Sequence, residues 1–309
     1  MSLLLFCLVT NHDVINHDAP PASDSANELR WNILQRKTQE VHVVTAFKLF
    51  RAHGIEPVLI KGLAAGQFYP VDKPRMSIDI DLAVSDADYN RAIALATSVA
   101  ADGLAIDLHR ELRHLDTIPW PDLFANTLDH QLEGGTARFL RPEDHLRVLC
   151  VHWLTDGGID KSRLWDIYYL VTNRSVDFDW HRFLNIVEPS RRRWLECTLG
   201  LTSRYLGLSL VGTPVERAVA DLPKWLVRTV ESEWVSGDSD KPLEFAMFDS
   251  RLLVKQLLRR LRPNPIRSTV EMEGSFDART RILYQIGNSV RRVSPTVGRV
   301  ATTLRNRFK

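Results

Sequence analysis

The chain has too few cysteines, spaced too widely, to be built on sulfur chemistry. Cys7, Cys150 and Cys197 are the only three in 309 residues. They are odd in number and lie in apolar surroundings, with neither a disulfide framework nor zinc-ligand spacing. They read as buried thiols in a reducing compartment. Long apolar runs are missing too: no window approaches the roughly 18 consecutive apolar residues of a membrane span. The opening MSLLLFCLV holds seven apolar residues in a row with no preceding Lys or Arg. That falls short of the charged and longer apolar regions of a signal peptide, so a short packed helix is expected there, and with it a cytoplasmic location.

A strong overall charge is also absent, the formal net being +2. Hydrophobic residues at 44% and charged residues at 25% are ordinary for a globular protein, whose core then needs no disulfide or structural metal. The balance hides an asymmetry: residues 251–309 carry 14 Lys and Arg against 3 Asp and Glu, which leaves the first 250 residues at −9. Two readings of this basic stretch stay open. It meets a polyanion or acidic partner, or it folds back on the acidic remainder. Few aromatics are interleaved, so base stacking is not specially supported.

At this length two domains, or one with a large appendage, are expected. Residues 1–25 form an N-terminal segment. Residues 26–53 place Leu29, Ile33, Leu34, Val41, Val44, Phe47 and Leu49 near helical spacing, with Gly54 as the stop. PVLI at 57–60, followed by Lys61-Gly62 and LAAGQFY, predicts strand, tight turn and short helix. A loop over 70–74 leads to SIDIDLAV at 77–84, whose alternation is that of a strand. Residues 86–101 predict an N-capped helix, LAIDLHREL a strand centred on Asp107, and TARFLRP a last strand. From Pro142 nearly everything reads as helix. The expected division is therefore 26–141 as an α/β (α+β) domain with a small mixed sheet, 142–250 as a helical domain, and 251–309 as a basic helical arm.

A strand turns residues i and i+2 to one side, so Asp79 and Asp81 present their carboxylates together. Two such groups repel unless a cation sits between them. Hard oxygen donors without a His or Cys cluster nearby describe a magnesium site, and magnesium with a triphosphate is its natural guest. Asp-x-Asp alone is common on solvated strands. Here it has company: the Lys61-Gly62 turn upstream supplies a glycine, a helix N-terminus and a cation for phosphate, and Asp107 downstream is placed to come from a neighbouring strand.

The segments VLIKGLAAGQFYP, RMSIDIDLAV, IDLHREL and RPEDHLRVLCVHWLTDGGIDKSRLWDIYYLV resemble the poorly characterised nucleotidyltransferases of the DNA polymerase beta superfamily, over residues from about 26 to 175. The resemblance implies a polymerase-beta-like core and transfer of a nucleoside monophosphate, AMP from ATP being the commonest case, with loss of pyrophosphate. It also implies two magnesium ions held by Asp79, Asp81 and Asp107 for an in-line displacement. Gly62 is the turn glycine, although Leu63 follows it where the superfamily usually has Ser or Gly. Lys61 supplies a compensating charge or is simply solvated. Arg75 matches an arginine that could clamp phosphates, or else packs on its loop. Arg163 is a candidate nucleotide or acceptor contact, and with Asp166 makes an i, i+3 pair that reads as a structural salt bridge. His109 and His152 read as supporting or core histidines.

Three other functions compete. A glycosyltransferase using Asp-x-Asp would need neither Lys61-Gly62 nor Asp107. A phosphatase of the haloacid dehalogenase type would have Thr or Val where Ala83 stands. A catalytically silent nucleotide- or partner-binding protein on the same fold remains. The acceptor stays open among a peptide, a sugar, another small molecule and tRNA.

Overall fold

The computed structural model describes residues 26–112, 115–236 and 263–291. The helix expected at the start of the chain, the helical run expected at 243–261 and much of the basic stretch lie outside the described residues.

Helix α1 (Ala26–Ala52) ends as its sequence implies. Gly54, at φ +70°, lets the N–H groups of Gly54 and Ile55 return to the carbonyls of Arg51 and Phe50, each at 3.0 Å. The buried face differs from the expected stripe. Val43, Val44, Ala46, Phe47 and Phe50 are buried, whereas Trp31, Ile33, Leu34 and Val41 are exposed. Spacing along a helix does not say which of its turns reach the sheet, and here only the second half does.

Five short strands form one mixed sheet: β1 (Val58–Leu59), β2 (Ile80–Val84), β3 (Ile106–Arg110), β4 (Leu128–Leu132) and β5 (Gly135–Phe139), in the order β3-β2-β1-β5-β4. β2 runs antiparallel to β1 and parallel to β3, and β5 pairs parallel with β1 and antiparallel with β4. The period of two divides the buried residues between two cores. Leu59, Ile80, Leu82, Val84 and Phe139 join α1 and α3 (Tyr89–Ala96). Val58, Ile60 and Ala83 join the helices of the C-terminal half. Asp81 alternates with Ile80 and Leu82, so its carboxylate faces the second, helical layer.

Three local expectations need correction. α3 spans residues 89–96 rather than 86–101, because Ser85 and Asp88 close a turn on each other, the Ser85 hydroxyl donating to Asp88 at 2.8 Å, and a separate 3-10 turn forms at Val99–Ala101. Strand β4 was not among the expected elements: LDHQL lies at the sheet edge with Leu128 exposed, so its alternation is faint. Strand β2 begins at Ile80, which leaves Ile78 exposed and Asp79 at the strand's entrance rather than within it.

The helical layer is centred on α5 (Pro142–Thr155), eleven of whose fourteen residues are buried, which marks it as the axis about which the others pack. Pro142 starts it at the position where a missing N–H costs nothing. α6 (Leu164–Thr172), α7 (Trp180–Leu184) and α8 (Pro189–Leu206) pack around it. A buried ionic network braces the centre: Arg147 donates to Asp116 at 2.7 Å and to Asp144 at 2.6 Å, and Asp144 also receives Arg182 of α7. The described part of the basic stretch belongs to this layer. The helix α9 (Pro265–Glu271) packs on α5, burying Ile266 and Val270, and Phe276 follows into the same core. Among the described residues no helix is long and apolar enough to cross a membrane.

Candidate functional site

The site begins where β1 ends. Lys61 has φ +58° and Gly62 φ +43°, and α2 (Gly62–Gly66) starts directly after. Left-handed backbone is strained for a lysine. Its N–H donates to Nε2 of His145 on α5 at 3.2 Å, inside the core, which helps hold the turn. A Cβ on Gly62 would lie 3.1 Å from the Ser77 hydroxyl and 3.4 Å from the Asp79 carbonyl. The glycine therefore lets the segment entering β2 cross close over the turn. The Asp79 carbonyl also accepts from Ser77 at 3.2 Å and from the buried Gln39 of α1 at 3.4 Å.

The parallel pairing of β2 and β3 sets Asp81 opposite Asp107. His109, two residues along β3, turns to the same side, with Nε2 3.4 Å from Asp81 Oδ1 and 3.3 Å from Asp107 Oδ2. Ligand atoms of Asp81, Asp107 and His109 lie within 4.8 Å of one another, a group able to hold a metal ion; Asp79, exposed at the entrance of β2, stands outside it. Lys61 Nζ lies 2.6 Å from Asp81 Oδ1. Burial works against ionisation of Asp81, but the His109 hydrogen bond and the Lys61 ammonium outweigh it and hold the carboxyl below its ordinary range.

A cleft of about 270 Å³ separates this carboxylate wall from the helices. Asp79, Asp81, Asp107 and Lys61 line one side, while His152, Asp156 and Arg163 line the other. Arg163 Nη1 donates to His152 Nε2 at 2.9 Å and also to Asp156, and its Nε reaches Asp160 at 3.3 Å. Burial first, then the positive charges of Lys61 and Arg163, push the His152 imidazolium down to about 3, so His152 is the neutral acceptor in that contact.

The expected Arg163–Asp166 pair is not formed. Asp166 instead receives Arg75 in a two-pronged contact, Nε to Oδ1 at 2.6 Å and Nη2 to Oδ2 at 2.9 Å, and the Tyr69 hydroxyl at 2.7 Å. Asp166 opens the first turn of α6 and faces the sheet layer, and Arg163, just before the helix, is drawn by the loop acids Asp156 and Asp160. Six of the seven residues singled out from sequence (Asp79, Asp81, Asp107, Lys61, Arg75 and Arg163) thus line one cleft, and the seventh, Gly62, abuts Lys61 in its turn. His109 was undervalued, though its spacing of two from Asp107 was the available signal. Asp166 was singled out with the wrong partner, and the contacts it makes with Arg75 and Tyr69, like that of His145 with Lys61, have no local signal because they join residues 84 to 97 positions apart.

A small mixed sheet that sets carboxylates from adjacent parallel strands against a helical layer has the make-up of a nucleotidyltransferase core. The family described as uncharacterised nucleotidyltransferase matches residues 2–99 and 96–207, about two thirds of the chain, and the chain belongs to that family. No curated protein and no solved structure matches it.

Proposed function

We propose that the protein transfers a nucleoside monophosphate, AMP from ATP in the first instance, to an acceptor group with release of pyrophosphate. The observation that carries this reading is the strand register that brings Asp81 and Asp107 together beside His109, facing a cleft whose far wall holds Arg163. Paired carboxylates with one imidazole suit a hard or borderline divalent ion, Mg²⁺ or Mn²⁺, and among the described residues no cysteine lines the cleft to favour a softer one. Such an ion, when bound, supplies charge neutralisation for a triphosphate and a lowered pKa for an acceptor hydroxyl.

The chain's own residues have distinct tasks in this reading. Asp81 and Asp107 hold the metal, with His109 as a nitrogen donor and Asp79 as a further carboxylate at the cleft mouth. Lys61 and Arg163 face the phosphates from opposite walls. The Gly62 turn keeps the β1 end and the Asp79 segment in contact. Arg75, with Nε and Nη2 committed to Asp166 and Nη1 donating to the Met76 carbonyl at 3.4 Å, ties the segment before β2 to α6. His152, neutral and already accepting from Arg163, is a poor proton acceptor, so proton removal falls to the carboxylate side.

The test is label transfer from each α-labelled NTP with Mg²⁺ or Mn²⁺ to a panel of peptide, sugar, small-molecule and tRNA acceptors. Wild type is compared with Asp81→Asn and Asp107→Asn. A loss of at least about a hundredfold in either variant is expected, in keeping with removal of a group that stabilises the transition state directly. Transfer by both variants at the wild-type rate would refute the assignment. Nucleotide binding without transfer to any acceptor would favour a silent binding protein on the same fold. Transfer to tRNA would give the basic stretch a partner of matching charge.

A further inference from the structure

The contact between Lys61 and Asp81 is more than a salt bridge near a site. It occupies the site. Asp81 Oδ1, one of the atoms that would face a metal, already has an ammonium at 2.6 Å and the His109 ring at 3.4 Å. Both partners of the ion pair are largely buried, at 11% side-chain exposure each. The position is built rather than incidental, since Lys61 adopts a left-handed backbone and its N–H is held by the buried His145. A cation approaching Asp81 alone therefore meets a positive charge already in place, and displacing it leaves an ammonium without its counter-charge.

A triphosphate changes that balance. It enters the same cleft with several negative charges and offers the ammonium new partners. The lysine stem is a flexible carrier of a point charge and can follow without moving the backbone.

We propose that Lys61 is an exchangeable counter-ion: its ammonium neutralises Asp81 before substrate arrives and passes to the triphosphate as the metal–nucleotide complex enters, so that metal and nucleotide bind with positive coupling. This rests on the nucleotidyl-transfer reading and deepens it, because it sets the order of binding. Metal alone binds weakly, and the metal–nucleotide complex is the species the cleft accepts. Coupling of this kind is reciprocal, so metal tightens nucleotide by the factor with which nucleotide tightens metal.

The experiment uses the full chain and Mn²⁺ as a paramagnetic probe, titrated by electron paramagnetic resonance with and without α,β-methylene-ATP, an analogue that is not cleaved at the reacting bond. In wild type the analogue should tighten Mn²⁺ by about tenfold or more, within the range of known couplings. Lys61→Met should bind Mn²⁺ alone about tenfold more tightly than wild type and lose most of that coupling. Lys61→Arg, which keeps the charge, should stay near wild type. Circular dichroism verifies the fold, and Lys61→Gln serves for the same comparison if the Met variant does not fold. Mn²⁺ affinity that is unchanged or weaker in the neutral variants, with coupling retained, overturns the counter-ion role and leaves the nucleotidyl-transfer reading standing. Failure of wild type to bind Mn²⁺ more tightly than Asp81→Asn, even with the analogue, overturns both.

Discussion

At the scale of single residues, the site depends on one buried histidine. His145 is fully enclosed, with Nε2 accepting from Lys61 and Nδ1 buried without a partner. Burial first, opposed by the nearby Asp166 and aided by Arg75, pushes its imidazolium from an ordinary value near 6.5 down to about 4. The folded state thus binds fewer protons than the unfolded state between those two values. The sign follows: His145 contributes full stability above about pH 6.5 and loses it progressively as the pH falls towards 4, a loss of roughly 3 kcal/mol if the whole shift is realised. His152, pushed down to about 3, acts in the same direction. Urea denaturation between pH 7 and pH 4 should show the midpoint falling. His145→Gln, whose amide oxygen can still accept from Lys61, should flatten that dependence. An equally steep profile in the variant would remove His145 as its source. Sequence gave little warning of this residue, because a histidine becomes a buried acceptor only through the chain segment brought against it.

At the scale of elements, most of the core pieces were legible because their signals are local. The strand of PVLI, the turn at Lys61-Gly62, the alternation through Asp81 and the strand centred on Asp107 all follow from spacing and turn chemistry, and the structure has each. Hidden from sequence were the contacts made between elements. The loop before β2 is fastened to α6 by Arg75 and Tyr69 on Asp166, across 91 and 97 residues. The Arg163–Asp166 spacing suggested a pair that these distant partners pre-empt. Asp166→Ala leaves the Arg75 guanidinium largely buried without its carboxylate, and should destabilise the protein by on the order of 3 kcal/mol. Tyr69→Phe should cost about 1 kcal/mol, the worth of one hydrogen bond. Denaturant midpoints for the two variants check both values, and a near-neutral Asp166→Ala would mean that the fastening contributes little to the fold.

At the scale of the whole molecule, the second half of the chain is both the far wall of the cleft and the cover of one face of the sheet. The described part of the basic stretch packs on the helices of that half. The indoles of Trp194 and Trp225 donate to the carbonyls of Gly274 and Phe276, each at 2.9 Å, while Arg191 meets Glu273 and Arg193 meets Asp277. Ending the chain after residue 262 removes Ile266, Val270 and Phe276 from the core, roughly 1.5–3 kcal/mol for each side chain. The sum rivals the whole stability of an ordinary domain, so the truncated chain should show no cooperative thermal transition. A transition at the full-length midpoint would make the segment a dispensable appendage.

The same packing has a consequence in time. Asn264 closes onto Gly157, a hydrogen bond of 3.0 Å between residues 107 positions apart, and α9 lies on α5. At a synthesis rate of about 5–20 residues per second, the end of α5 leaves the ribosome roughly 5–20 seconds before its cover exists. For that interval Trp153 and the rest of the future axis stand open on one side. Synthesis is then an interval in which this face of α5 is open to association with other copies of the chain.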